Sequence, residues 1–499
     1  MNASNNDFDA IVIGSGIGGL VTGGILAEKE GWKVLVLEKE DVIGGKIYTF
    51  EHFDGDEKTF RKILRKNHLS TIVDSKPEIS ELIERKVFSN YIFEGGWHSY
   101  INADRSRLSF VASGLGKEMK VHGSKGFRLF ADGKWNSFRY LMRNWTQEDF
   151  EEGKKVSREM NLMSKEEAGE YDHIDLRSYL KSRTNSENVR NFHEWLAGYE
   201  TGHDDPKLIS AGEHIKTVSM IHCAGNDLED GSGGQPEGGF NVISRLFKEI
   251  IEENGGEIRT GAAVEKIIVE NYKATGVQTS NGVINAPRVI CNIPMQRAQK
   301  VLEDEYWPKE FKLQIEKNKP LSGILGWINT KKPVDPDFKG IYIMPKLPGC
   351  SPEDGFSGDV LFGFEDVATY DSTRTPEGEG LMTVWAGLLP DQLHNPELVQ
   401  KITKGIFTFY NEYYPGFEEN LNWYFLTACD ELYSITVTPG MIGDKRLPVK
   451  HPLVKDLFFT GDSVTQWSFG VSGAIGGAVN CASAATGKDY STLMPFYMR

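Results

Sequence analysis

The stretch from Phe8 to Lys46 constrains this chain more than any other. An apolar run, Phe8-Asp9-Ala10-Ile11-Val12-Ile13, leads into Gly14-Ser15-Gly16-Ile17-Gly18-Gly19. A helical stretch from Leu20 to Lys29 follows, then a second apolar run, Lys33-Val34-Leu35-Val36-Leu37, ending at Glu38. Strand, glycine turn, helix, strand and acid in that order describe a nucleotide-binding βαβ unit. Gly14 permits the tight turn, Gly16 lets the backbone approach a pyrophosphate, and Gly19 lets the helix lie close to the sheet. The turn runs through Ser15, Ile17 and Gly18, so free N–H groups and the positive end of the helix dipole face the phosphates. Glu38 lies about 20 residues past the turn, where a carboxylate closes on both ribose hydroxyls. The same carboxylate would repel a 2′-phosphate, which argues against NADP. A glycine motif alone would carry little; here the strands, the helix and the acid all agree with it.

With 499 residues the chain exceeds one simple core, and two domains are expected. An apolar share of 39%, with ten Trp and 27 Phe, is ample for packed interiors. A net charge of −15 argues against nucleic acid or an anionic membrane surface as a partner. The five cysteines, Cys223, Cys291, Cys350, Cys429 and Cys481, are odd in number and form no CxxC pair, so no disulfide framework or zinc site is expected. No His pair has HExxH spacing, and no metal is required. Met1 to Asp7 lacks an apolar signal core, and no run of roughly 18 apolar residues occurs. A soluble cytoplasmic protein is expected, with peripheral membrane contact left open.

Past Glu38 come Lys39 to Ile43, then Gly44-Gly45-Lys46. A second glycine pair followed by a cation brings another backbone segment and a positive charge to the pyrophosphate, so Lys39, Gly45 and Lys46 join the candidate cofactor residues. This arrangement resembles the flavin-dependent amine oxidase superfamily, in particular its branch of phytoene desaturases, carotenoid isomerases and retinol saturases. Those families usually carry Arg after the glycine pair; Lys46 keeps the charge and loses the bidentate fork. Phe93-Glu94-Gly95-Gly96-Trp97-His98 resembles the F-D-x-G-x-H segment of the retinol saturase and carotenoid isomerase branch. There the segment passes beside the flavin, which makes Gly96 and Trp97 cofactor candidates and His98 a pocket candidate. The resemblance implies that Val264 pairs its backbone with adenine and that Asp462 of Gly461-Asp462 bonds the ribityl-phosphate region. It also implies that the helix opening at Gly470-Val471 points its N-terminus at the flavin ring. The implied cofactor is FAD, bound noncovalently, since no Cys lies between Asp430 and Asn480.

The implied fold is α/β: a Rossmann-like FAD-binding domain interleaved with an α+β substrate domain. The FAD-binding parts are 1–104, 235–294 and 447–499; the substrate-domain parts are 105–234 and 295–446. Lys58, Arg61, Lys62, Arg65 and Lys66 crowd the stretch 51–90, which reads as a solvated helical insertion. An Asp132-Gly133 turn inside an apolar stretch predicts a hairpin. The stretch 144–183 reads as helices, and Asn188 to Gly202 continues helical with Phe192, Trp195, Leu196 and Tyr199 at core spacing and His193 structural. A helix is expected from Phe240 to Asn254, buried strands over 322–328 and 381–386, and an amphipathic helix from Glu397 to Tyr414.

Flavin N5 exchanges hydride without a protein nucleophile, so no catalytic triad is needed and the catalytic residues stay unassigned. Three readings compete. The preferred one is desaturation, saturation or isomerisation of carbon–carbon bonds in a small apolar or cyclic substrate. The second is an amine oxidase, with Trp467 and Phe469 supplying rings around the amine. The third is a non-enzymatic binding protein such as the Rab GDP-dissociation inhibitors, which the intact Gly14, Gly16, Gly19, Glu38, Gly45 and Asp462 argue against. Trp467 and Phe469 lie between two cofactor-contacting segments and are expected in the substrate pocket with His98. Substrate, direction, electron acceptor (oxygen, a quinone or a nicotinamide) and oligomeric state stay open.

Overall fold

The computed structural model describes residues 7–66, 71–96, 98–99, 103–123, 126–202, 205–225, 233–318 and 320–499. Its nucleotide-binding side is built on five parallel strands: β1 (Ala10–Ile13), β2 (Val34–Leu37), β3 (Glu257–Arg259), β4 (Val289–Cys291) and β5 (Leu457–Phe459). They lie in the order β3-β2-β1-β4-β5, so chain segments more than 400 residues apart become near neighbours. Parallel strands covered on both faces need unbroken apolar runs, and β1, β2, β4 and β5 are buried throughout. Their side chains alternate between two cores. Ala10, Val12, Val34, Val36, Ile290 and Phe458 meet the helices α1 (Ile17–Glu30), α2 (Asn241–Glu253) and α3 (Gly470–Thr486). Ile11, Ile13, Leu35, Leu37, Val289 and Phe459 meet the antiparallel meander Val264–Glu270, Lys273–Thr279 and Gly282–Asn285. This is the period-2 alternation of a strand sorted onto two faces.

The second sheet has eight strands, in the order 71–76, 421–429, 322–330, 380–388, 362–366, 341–344, 127–131 and 134–137. All neighbours are antiparallel except 341–344 with 127–131. One face, carrying Ile324, Ile328, Phe362, Phe364 and Val384, packs on the helix Pro396–Tyr413. The expected hairpin forms between Phe127–Ala131 and Lys134–Ser137. Asp132 (φ 52°) and Gly133 (φ 71°) both take the positive φ that a two-residue hairpin turn matching the strand twist demands.

The charged stretch 51–90 differs from the expectation of a solvated insertion. Thr71–Lys76 pairs antiparallel with Leu421–Cys429 at the edge of the large sheet. The helices Glu57–Lys66 and Ile79–Glu84 turn Phe60, Leu64, Ile79 and Leu82 inward. Phe60 sits 4.8 Å from Phe50 and stacks at 5.1 Å on Phe88, within an aromatic cluster completed by Phe93, Trp423 and Phe425. Lys58, Arg61, Lys62 and Arg65 occupy the outer face of the first of these helices, which is why composition alone reads as solvated.

Phe60→Ala is therefore expected to lower stability by about 3–5 kcal/mol, the range for truncating a buried ring. Denaturant unfolding checks this; a change within about 0.5 kcal/mol, normal for a surface site, would return the segment to the status of an insertion.

Candidate functional site

The turn between β1 and α1 lies at the carboxyl ends of the parallel strands, where ligands of open α/β sheets bind. Gly14 has φ 95°, and Asn292, one residue past β4, donates from Nδ2 to the carbonyls of Gly14 and Gly16 at 3.3 Å each. Glu38 follows β2 directly. Its Oε2 accepts from Ser15 N (2.9 Å) and Ser15 Oγ (2.7 Å), and its Oε1 accepts from Glu40 N (2.9 Å). The carboxylate thus fixes the turn from behind while lining the cavity in front of it. The second glycine pair docks on the first turn: Gly44 N donates to Ser15 O at 3.1 Å, and Gly45 has φ 58° beside Gly16.

One cavity of about 740 Å³ gathers these segments. Of the expected cofactor residues, Gly14, Gly16, Ile17, Gly18, Glu38, Lys39, Gly45, Lys46, Val264, Gly461, Asp462, Gly470 and Val471 line it. Ser15 and Gly19 do not. Ser15 acts through its bonds to Glu38, and Gly19 is buried where a Cβ would run into the Gly14 carbonyl. Gly96 is buried away from the cavity lining, and Trp97 lies outside the described residues.

The site fits a dinucleotide on its own donors. α1 begins after Gly16 and α3 after Phe469, and neither helix has a side-chain cap, so two helix N-termini open on one cavity. Positive charge comes from Lys46 and Arg297, both held by Glu431: Lys46 Nζ lies 2.7 Å from Oε1, Arg297 Nη1 2.8 Å from Oε2 and Nη2 3.1 Å from Oε1. Burial pushes the Glu431 carboxyl up, but the two cations outweigh it and hold it below its ordinary value. Burial raises Asp462 above its ordinary value, against Lys46 and a 3.3 Å bond from Ser434 N to Oδ2. Among the described residues no cysteine lines the cavity.

Beyond the dinucleotide end the cavity continues into a chamber walled by the large sheet and the helical region before it, with Phe127, Leu196, Ile221, Leu325 and Trp385 on its surface. His98 lines the cavity; burial pushes its imidazole down, and Nδ1 has no hydrogen-bond partner. Phe469 also lines it, edge-on to Tyr433 at 4.8 Å and 72°.

Trp467, expected beside them, is elsewhere. Its ring lies 3.9 Å from the Arg107 guanidinium and 4.4 Å from Lys165 Nζ, an amine that burial lowers to about 6, and its Nε1 donates to the carbonyl of Arg499 at 3.0 Å. The Arg107 guanidinium and the Arg499 carbonyl hold the ring, so it packs in the core instead of the pocket. Sequence reasoning missed Asn292, Tyr199, Glu200 and Tyr433, all of which line the cavity. Asn292 had a signal: it ends a strand adjoining β1, at the ligand-binding end of the sheet.

The model of the family described as "Flavin containing amine oxidoreductase" matches residues 17–486. Among curated proteins, the prolycopene isomerase of Daucus carota is 27% identical over 438 residues, covering 81% of this chain and 67% of the relative. The 1-hydroxycarotenoid 3,4-desaturase of Flavobacterium sp. (strain P99-3) is 25% identical, covering 62% of this chain and 61% of the relative. The chain thus spans about two thirds or less of the length of these two relatives. The all-trans-retinol 13,14-reductase of Danio rerio is 22% identical, covering 97% and 86%. Among solved structures, an oxidoreductase from Methanosarcina mazei superposes with a TM-score of 0.68 at 18% identity, covering 94% of this chain and 98% of the other. Cyclohexylamine oxidase from Brevibacterium oxydans IH-35A gives 0.64 at 16%, covering 96% and 99%. At these identities the structural likeness is one of fold.

Glu38→Ala removes the anchor of Ser15 and the carboxylate expected to meet the ribose, and is expected to weaken FAD by about 1.5–3 kcal/mol, read as the dissociation constant in a fluorescence titration. The two aromatic neighbours should separate. Trp467→Ala should cost about 3–5 kcal/mol of stability and leave KM unchanged. Phe469→Ala should move KM by about tenfold, roughly 1.4 kcal/mol, with the fold intact.

Proposed function

Because the chain belongs to the flavin containing amine oxidoreductase family and is an FAD-dependent oxidoreductase, we propose that it acts on carbon–carbon bonds of an apolar polyene or cyclic substrate. The observation that carries this reading is the chamber. Phe127, Leu196, Ile221, Leu325 and Trp385 give it an apolar surface continuous with the dinucleotide end. A cationic amine would have to shed its hydration there. The one carboxyl among the described residues on that side, Glu200, is pushed well above the usual carboxylate range by burial, so it offers no dependable counter-charge. The relatives named for carotenoid and retinol reactions support the same class.

When bound, FAD supplies hydride exchange at N5. The residues of the chain bind, orient and shield. Glu38 closes on the ribose, and Val264 offers backbone to the adenine edge. The N-termini of α1 and α3 place partial positive charge against anionic parts of the cofactor. Lys46 adds a full charge, tempered by Glu431. Phe469 and Tyr433, edge-on to each other in the cavity lining, favour flat or slim substrates. Among the described residues no helix is long and apolar enough to cross a membrane.

The test is anaerobic spectroscopy of the holoprotein with all-trans-retinol, a cis-polyene, a cyclic ketone and cyclohexylamine, starting from both oxidised and reduced flavin. A polyene or cyclic substrate should change the flavin spectrum or be isomerised. Bleaching by the amine alone would replace this reading with amine oxidation.

A further inference from the structure

The cavity carries one acidic side chain at its substrate end that the binding of a dinucleotide does not use. The helix Glu187–Thr201 buries Val189, His193, Leu196 and Ala197 along one stripe. Glu200 falls on the same stripe, one helical step beyond Leu196, where an apolar residue would ordinarily sit. It lines the cavity, and its side chain is 7% exposed. Oε2 meets Nδ1 of His214 at 3.1 Å, and Nε2 of His214 meets Nδ1 of His193 at 3.1 Å. His214 comes from a second helix, Ala211–Cys223, and both imidazoles are buried. Oε1 of Glu200 is buried with no hydrogen-bond partner.

An orphaned carboxyl oxygen is costly, about 1–3 kcal/mol or more, and a buried carboxyl needs partners. Here Oε2 is held by His214, itself held by His193, and Oε1 is buried without a partner on a side chain that lines the cavity. We infer that Glu200 is the proton-exchanging group of this cavity, giving a proton to or taking one from a substrate carbon, with His214 and His193 as its positioning residues. The inference rests on the carbon–carbon reading of the site.

The chemistry of the array supports it. Burial pushes both histidines down to about 3, so neither holds a positive charge that would pin Glu200 as a carboxylate. Tyr199, on the same helix, and Tyr433 also line this part of the cavity, and burial raises both phenols, so they too stay neutral. With His214 Nδ1–H donating to Oε2, Oε1 is left to carry the proton, and a turn of the Glu200 side chain presents it to the cavity that the residue lines. After its loss the carboxylate keeps the His214 bond. In the reducing direction the Glu200 O–H bond breaks and a C–H bond forms with its proton at one alkene carbon. Bound FAD in its two-electron-reduced form would supply the neighbouring carbon with a hydride and its electron pair. The alkene gains two electrons and two hydrogens, and Glu200 is left as carboxylate. Desaturation runs the same exchange backwards, with Glu200 as base and oxidised flavin as hydride acceptor.

The test uses the FAD-loaded protein labelled with carbon-13 at glutamate carboxyls and read by difference infrared spectroscopy near pH 7. A neutral carboxyl band is expected that is missing in Glu200→Gln, moves when all-trans-retinol enters the cavity, and shifts in His214→Phe. A band that survives Glu200→Gln, or one that ignores retinol even though quenching of the flavin fluorescence shows retinol bound, overturns the inference. For any substrate that turns over, Glu200→Gln should lower kcat by about 100-fold or more, with KM within a few-fold and FAD content unchanged, and Glu200→Asp should recover part of the loss. Unchanged kcat overturns the assignment too. The infrared result needs no turnover, so a failure of the polyene assay and a failure of Glu200 are told apart.

Discussion

Everything at this site depends on three stretches of backbone approaching more closely than side chains allow. A Cβ on Gly18 would lie 2.6 Å from Gly461 Cα, and one on Gly477 would run into the Gly461 carbonyl. Gly19 has the same relation to the carbonyl of Gly14. These contacts seat α1 and α3 side by side over the same strand ends, so that two uncapped helix N-termini face one cavity. Were either helix pushed outward by a methyl group, its dipole would point past the site, and the field of a helix end falls off within about a turn. The glycines therefore set the electrostatics of the cavity as well as its shape.

That field is balanced by acids placed at its edges. Glu38 accepts three hydrogen bonds from Ser15 and Glu40, which fix its carboxyl against the turn. Glu431 holds Lys46 and Arg297 in a half-buried cluster. An ammonium is a compact point charge on a flexible stem, where a guanidinium is a fixed fork. Lys46 can thus lean toward Glu431 or toward a phosphate without breaking a bidentate geometry. Glu431 is a competitor for the same cation, and the pair sets how much of the Lys46 charge an anionic ligand can recruit.

What the sequence made legible was local. The apolar runs of β1 and β2, the glycine spacing between them and the Gly461-Asp462 strand end are all contained in short windows, and each lines the cavity or seats the turn. Val264 was legible through the order of elements around it. What was hidden is long-range. Lys46 meets Glu431 across 385 positions, and nothing near either residue signals it. The strand Thr71–Lys76 has mostly half-exposed side chains, because it is an edge strand, so it shows no apolar run. Glu200 left a trace: a carboxyl on the buried stripe of an otherwise well-patterned helix. Such a break in an amphipathic pattern is where a site is to be sought.

The aromatic loop shows how a correct neighbourhood can still give a wrong direction. Trp467, Ser468 and Phe469 are consecutive and lie between two segments of the cofactor site, yet only Ser468 and Phe469 reach the cavity. The cause is two buried guanidiniums. Arg446 Nη1 donates to the Ser468 carbonyl at 2.7 Å, and Gln466 Nε2 donates to the same oxygen at 3.0 Å. Arg107 donates from Nη1 to the carbonyls of Trp467 (3.2 Å) and Ser472 (3.1 Å). Held this way, Ser468 adopts φ 74°, a conformation that a side-chain-bearing residue takes only under constraint. That single left-handed residue reverses the chain between the two rings. Trp467 is thrown onto Arg107 and the carboxyl end of the chain, and Phe469 is delivered to Tyr433 at the cavity. The course of the chain beside the cavity is thereby fixed by two guanidiniums that do not line it.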